Sequence, residues 1–288
     1  MKILFISHYK WPHVGGVEKH VYELSKRLKV KGNGIKVISE EDIKQPHIKF
    51  LGLIYVWFWM FRNRKLIEDA DIVHCHDVFI WYLPFRFLYP KKPVYTTFHG
   101  WEGIWPIPWK NIFLKKLAAK LSWGSIAVGK YIEKYYGIKV NKIIYGGTLI
   151  LHSIKVEIGK TSIVFVGRLE KDTGILGFLK WLNKNPKHVV DFVGDGVLRE
   201  KCEKYGTIHG FTDPTPFYKQ AKYCVPGGYL AALEASSYGC ELKLFWNNKI
   251  KRDYWKMSPF IGKDVVAWAK KQTWNKLADE YLNLYNSI

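Results

Sequence analysis

The residues from Thr161 to Gly174, TSIVFVGRLEKDTG, bring together an apolar run, a tight bend, a guanidinium and a helix start. Ile163 to Val166 is short, β-branched and aromatic, which predicts a buried strand, and Gly167 then permits a sharp turn. Arg168 leaves that turn. Beyond Glu170, Lys171 and Asp172, the residues Ile175, Leu176, Phe178, Leu179 and Leu182 recur at helical spacing. Backbone N–H groups at a helix start and a forked guanidinium both favour a dianion, so the stretch predicts a phosphate site. Three more stretches follow downstream: Asp191-Phe192-Val193-Gly194-Asp195-Gly196 closes a strand, Ile208-His209-Gly210-Phe211 closes another, and Glu234 lies on a helical segment running to Gly239.

The first half supplies other groups capable of chemistry. His74 and His76 alternate around Cys75 and precede Asp77, so the two imidazoles share one face of a strand and look like metal ligands. No further ligand set is spaced to close such a site, and strand-end histidines are common, so no metal is expected. His99-Gly100 ends a further strand, and Gly15-Gly16 lies in a loop just before a helix. Cys75, Cys202, Cys224 and Cys240 are far apart and form no C-x-x-C pair, so neither a zinc site nor a disulfide framework is written in their spacing.

The elements that position these groups alternate strand with helix, which predicts parallel sheets covered on both faces. Expected strands are Lys2–Ser7, Ile35–Ser39, Asp71 to Cys75, Val94 to Phe98, Ser125–Val128 and Lys142–Tyr145. Val17 to Leu28 is an amphipathic helix with Val17, Val21, Leu24 and Leu28 on one stripe and Glu18 in its first turn. Ile48 to Ile67 reads as an aromatic-rich helix, and the last helix, Thr273 to Tyr285, has Trp274, Leu277, Ala278, Tyr281, Leu282 and Tyr285 at helical spacing. The irregular stretch 148–160 is expected to be a hinge between two domains. Ligands of open parallel sheets bind outside the carboxyl ends of the strands. Gly15-Gly16, His76, His99 and Gly146-Gly147 all fall at such ends.

In order and spacing these motifs resemble glycosyltransferase family 4, the retaining GT-B glycosyltransferases, over most of the chain. The resemblance implies an α/β fold of the GT-B type: two Rossmann-like domains whose parallel sheets face each other across a cleft. An acceptor-side domain would span residues 1–150 and a nucleotide-sugar domain residues 151–272, with the helix 273–288 returning to the first. Gly15 and Gly16 would let backbone approach donor phosphates or acceptor, and His99 would contact the transferred sugar. Arg168, with Lys171 close by, would bind the diphosphate, and Glu234 would accept from the ribose hydroxyls. The loops at Gly194, Asp195, Gly196 and at His209, Gly210, Phe211 would line the base, and Gly227 and Gly228 would offer N–H groups to the sugar. The substrate would be a UDP- or GDP-sugar, transferred without cofactor or metal. The chain departs from the family pattern twice. Thr173 stands where the G-R-L-x-x-x-K-G motif has lysine, and Pro226 stands eight positions before Glu234, where the family has a second glutamate. Those departures motivate the alternative of a non-catalytic GT-B scaffold that binds a membrane or protein partner. No G-x-G-x-x-G follows the first strand, which argues against a nicotinamide oxidoreductase.

A chain of 288 residues with 48% hydrophobic residues fits two domains with sizeable cores, and its formal charge of +20 predicts an anionic partner. Between Pro84 and Lys142 eleven Lys and Arg face only Glu102 and Glu133, with Trp101, Trp105, Trp109 and Trp123 interspersed. The pattern has two readings: an interfacial face for acidic headgroups, with a lipid-linked acceptor, or core aromatics beneath solvated lysines. Nucleic acid would also accept such a surface, but no recognition motif for it is present. The run Phe50 to Phe61 is shorter than the ~20 residues that cross a bilayer. Met1–Ser7 lacks the flanks of a signal peptide. The expectation is a cytoplasmic chain, peripheral at a membrane.

Overall fold

The computed structural model describes residues 1–13, 15–44, 51–100, 103–149 and 163–287. It divides into two compact units, one comprising Met1–Trp101, Ile107–Ile144 and Trp274–Ile288, the other Glu102–Pro106 and Tyr145–Thr273. The expected hinge at 148–160 falls outside the described residues except for its first two positions.

The first unit is built on six strands: β1 (Lys2–Ser7), β2 (Gly34–Ile38), β3 (Ile72–His76), β4 (Val94–Phe98), β5 (Gly124–Val128) and β6 (Lys142–Ile144). They form one parallel sheet in the order β2-β1-β3-β4-β5-β6. From β1 the chain first steps to one side and then to the other, so the connections after β1 and β3 diverge at a topological switch point. Helix α1 (Gly16–Val30) buries Val21, Leu24 and Leu28 of its expected stripe, while Val17 is only half-buried. The expected helix 48–67 is two pieces: α2 (Gly52–Arg62) and a short turn, Lys65–Glu68. At the break the Asn63 backbone N–H and its side-chain amide both donate to the carbonyl of Trp59, at 3.0 and 2.8 Å, a back-bonded geometry that bends helices. Helices α3 (Phe79–Leu88) and α4 (Trp109–Leu121) complete the cover.

The second unit carries β7 (Ile163–Val166), β8 (Val190–Val193), β9 (Gly206–Gly210), β10 (Tyr223–Pro226) and β11 (Glu241–Leu242), all parallel, in the order β11-β10-β7-β8-β9. Its switch point lies between β7 and β10. Strand β7 reads as an uninterrupted apolar run because both of its faces are buried. Ile163 and Phe165 pack with Phe178 and Leu182 of α5 (Ile175–Lys184), while Val164 and Val166 pack with Tyr218, Cys224 and Ala235. Helix α6 (Tyr229–Ser237) follows β10, and α7 (Lys249–Lys256) follows β11. The last helix, α8 (Trp274–Asn286), buries Trp274, Leu277, Ala278, Tyr281, Leu284 and Tyr285 in the first unit.

Candidate functional site

In the second unit the strand ends at the switch point are stripped of side chains. Gly167 follows β7 and Gly227 follows β10. A Cβ on Gly167 would stand 2.9 Å from the Cα of Gly227, and one on Gly194, at φ 150°, would stand 1.9 Å from the carbonyl oxygen of Gly167. Main chains therefore meet directly: the Gly167 N–H donates to Val193 O at 3.0 Å and the Gly227 N–H to Val166 O at 2.8 Å. Such ends leave backbone dipoles uncovered where ligands of open α/β sheets bind.

The expected guanidinium is placed differently from the sequence reading. The Arg168 side chain is 57% exposed and is paired at 2.7 Å with Asp172, one turn on, so its charge is partly neutralised by its own segment. Lys171 lies exposed on the 3-10 turn Lys171–Thr173, its carbonyl accepting from Asn247 Nδ2 at 2.8 Å. Thr173, in place of the family lysine, is buried, and its hydroxyl donates to Glu170 O.

A cation that sequence reasoning missed stands beside that position. Lys251, on α7, is 3% exposed, and its Nζ donates to the carbonyl of Gly227 at 2.8 Å, above the rings of Tyr254 (4.1 Å) and Trp255 (4.9 Å). The Thr173 Cβ lies 3.6 Å from where a Gly227 Cβ would be, so residues 173 and 251 converge on the same glycine. Burial pulls the Lys251 ammonium down to about 7, Asp172 opposing and Arg168 adding to the effect. Sequence alone held one signal: Trp255, four residues on, puts Lys251 on the inward stripe of an otherwise basic helix.

The remaining expected donor residues lie at neighbouring strand ends. Asp195 accepts from Arg199 at 2.8 Å through Oδ2, and its Oδ1 accepts the Gly196 N–H. His209 is held by Asp191 at 2.8 Å and packs on Phe217; Gly210 has φ 68°, and Phe211 is 52% exposed. Gly228 caps α6, and Glu234 is half-buried on that helix. A groove of about 780 Å³ in this unit is lined by Leu176, Lys180, Trp246, Asn248, Lys249 and Arg252 among others, and by none of the expected donor residues.

In the first unit four imidazoles gather at the carboxyl ends of β3 and β4. His76 Nδ1 and His99 Nε2 share a hydrogen at 3.0 Å, and the His20 ring meets that of His99 edge-on at 4.8 Å. His74 bridges Thr97 (2.8 Å) and the Tyr285 hydroxyl (2.7 Å), while Tyr281 joins Thr97 (2.9 Å) to His20 (3.0 Å). His20, His74 and His76 are at most 3% exposed. Burial lowers His20 and His74 to about 3 and His76 well below its ordinary value; packing, His20 and Lys115 do the same to His99. These are neutral rings. Among the described residues no group of three His, Cys, Asp or Glu could hold a metal ion. Asp77, at φ 63°, accepts the His99 N–H at 3.0 Å and pairs with buried Lys115 at 3.0 Å, which fixes the end of β4. Gly15 makes its close approach to Glu18, whose Oε2 lies 2.0 Å from a Cβ placed there, so an anion already fills that space; Gly16 is open.

The basic, aromatic stretch divides between both of its readings. Trp109 is 79% exposed and Phe113 55%, yet Lys115 is buried; Trp101 and Glu102 lie outside the described residues. No helix among the described residues is long and apolar enough to cross a membrane, and all four cysteines are free and buried.

The family model Glycosyltransferase Family 4 matches residues 14–143. No curated protein matches the chain. Solved structures do. The catalytic domain of starch synthase IV from Arabidopsis thaliana, bound to ADP and acarbose, superposes with a TM-score of 0.63 at 12% identity, covering 99% of this chain and 98% of that one. A UDP-GlcNAc 2-epimerase from Neisseria meningitidis, bound to UDP-GlcNAc, gives 0.55 at 13% identity, covering 100% of each chain. TarM of S. aureus, in complex with UDP, gives 0.56 at 16% identity, covering 82% and 59%. The fold is that of these GT-B proteins.

Proposed function

We infer, for a chain whose residues 14–143 match Glycosyltransferase Family 4 and whose two units have the GT-B fold, that it transfers a sugar from a nucleotide diphosphate donor to an acceptor at a membrane surface, with retention. One observation supports this best: the side-chain-free switch point at Gly167, Gly194 and Gly227, with the buried Lys251 beside it. A pyrophosphate there would meet the start of α6 and a cation held in a weakly screened setting, both of which favour the charge that develops as the leaving group departs.

In this reading the acceptor oxygen forms its bond to the anomeric carbon on the face from which the diphosphate leaves, and the acceptor proton passes to the departing phosphate oxygen. Lys251 and Arg168 would stabilise that diphosphate, and Glu234 would hold the ribose. UDP- and GDP-sugars are the donor candidates; relatives of this fold described with UDP favour the first.

Incubation with a panel of UDP- and GDP-sugars tests the proposal. Transfer, or slow donor hydrolysis, is expected; neither, together with no binding at millimolar donor by calorimetry, would favour the non-catalytic scaffold. Epimerases share the fold, so epimerised nucleotide sugar without transfer would move the assignment to that class.

A further inference from the structure

Helix α2 of the first unit is more apolar than its packing requires. Of its eleven residues only Val56 and Met60 are buried, while Ile54, Phe58 and Phe61 are 57%, 56% and 51% exposed. Together with Pro84, Phe85 and Leu88 of α3 these side chains line a groove of about 350 Å³. The groove is braced by backbone chemistry. Pro84 sits inside α3 and has no N–H for the carbonyl four residues back, that of Ile80; the Trp57 indole N–H donates to it instead, at 2.9 Å. This fastens α2 to α3 and gives the indole N–H of Trp57, itself in the groove's lining, a partner.

Cations rim the apolar floor. The Arg62 guanidinium stands 5.7 Å from the Phe58 ring centroid, Arg64 stands 5.1 Å from that of Phe61, and Lys65 is exposed beside them. Glu68, 3.6 Å from Arg64, is the acidic counterweight. We propose that the α2–α3 groove is where the protein lies on an anionic lipid bilayer, with Phe58 and Phe61 entering the acyl boundary and Arg62, Arg64 and Lys65 meeting the headgroups. Short helices with a bulky apolar face and a basic rim bind in the interfacial plane, and each cation near an acidic surface adds to the attraction. A second copy is the poorer occupant: a two-fold contact would press like arginines together on a chain of formal charge +20. The inference deepens the proposed membrane-surface acceptor, but its test needs no activity, so either can fail alone.

The test is co-sedimentation with phosphatidylcholine vesicles, with and without phosphatidylglycerol. Wild type should pellet with the acidic vesicles. Phe58→Ser/Phe61→Ser should lower partitioning by about tenfold or more, and Arg62→Gln/Arg64→Gln by about fivefold for each guanidinium lost, with unchanged circular dichroism. Equal binding by wild type and the serine variant would overturn the assignment of the groove. Equal binding to both vesicle types would overturn the headgroup role. A lipid-free dimer that the serine variant converts to monomer would hand the face to a second copy. Should the serine variant misfold, the arginine variant, whose changes are on the surface, still decides the question.

Discussion

The four gathered imidazoles make stability depend steeply on pH in a range where carboxylates barely titrate. His20, His74 and His76 are neutral in the fold, lowered from 6.5 to about 3 for the first two and well below 6.5 for the third, chiefly by burial. A group whose folded pKa is depressed and whose charged form is the protonated one contributes its full stability above the unfolded value. That contribution is lost as pH falls from 6.5 toward 3, because the unfolded chain binds protons that the fold excludes. At pH 5 His20 and His74 each cost about 1.36 × 1.5, or ~2 kcal/mol, so the two cost ~4 kcal/mol and His76 adds in the same direction, against a whole stability of about 5–15 kcal/mol for many domains. Urea denaturation followed by near-ultraviolet circular dichroism, repeated from pH 7.5 to 5, should show the midpoint of the first unit falling steeply below about pH 6, with about two or more protons taken up on unfolding. Uptake of one proton or fewer would mean that the rings are hydrated or already charged, and the burial argument would be wrong.

Three further perturbations follow from the second unit. Lys251→Met removes an ion from a dry site, so it should leave the fold as stable or stabilise it by about 1–3 kcal/mol, while UDP affinity falls far more than uridine affinity in calorimetry. Gly194→Ala drives a Cβ into the Gly167 carbonyl at φ 150° and should lower the urea-derived stability by about 2–4 kcal/mol. Arg168→Ala should weaken nucleotide diphosphate binding more than nucleoside binding, but by less than Lys251→Met, since its guanidinium is exposed and already paired with Asp172; the reverse order of losses would restore it as the principal cation.

What was legible in the sequence follows from where side chains pack locally. Strand β7 could be read because both its faces are dry, and α8 because Trp274, Leu277, Ala278, Tyr281 and Tyr285 of its stripe are buried, with Leu284 rather than the expected Leu282 completing the face. The single helix expected at 48–67 was not obtained; at its break Asn63 turns its amide back on the chain, a choice that apolar periodicity does not register. The site was harder still. Thr173 and Pro226 looked like lost charges, and nothing local indicated that a lysine 78 positions after Thr173 would arrive at the same glycine. His20 was hidden in the same way: on an amphipathic helix it reads as one polar residue among many, and only the fold brings it against His99 and Tyr281.

The two charge states bear on the pH profile of the proposed reaction. A general acid or base working near neutrality needs a pKa near 7, and His99, held well below its ordinary value, cannot carry a proton there. It can still offer one imidazole nitrogen to a hydroxyl. The group that does titrate near 7 is Lys251, and its protonated form is the one that would favour diphosphate. As pH rises from 7 to 9 the free site loses that charge, so kcat/KM for donor should fall, and bound diphosphate should hold the proton in place and shift the limb upward in kcat. Lys251→Arg, charged throughout, should abolish the limb, whereas His99→Gln, which keeps a hydrogen-bond donor, should lower the rate without moving it. A limb that follows the His99 substitution instead would assign the titration to the imidazole and remove Lys251 from the diphosphate site.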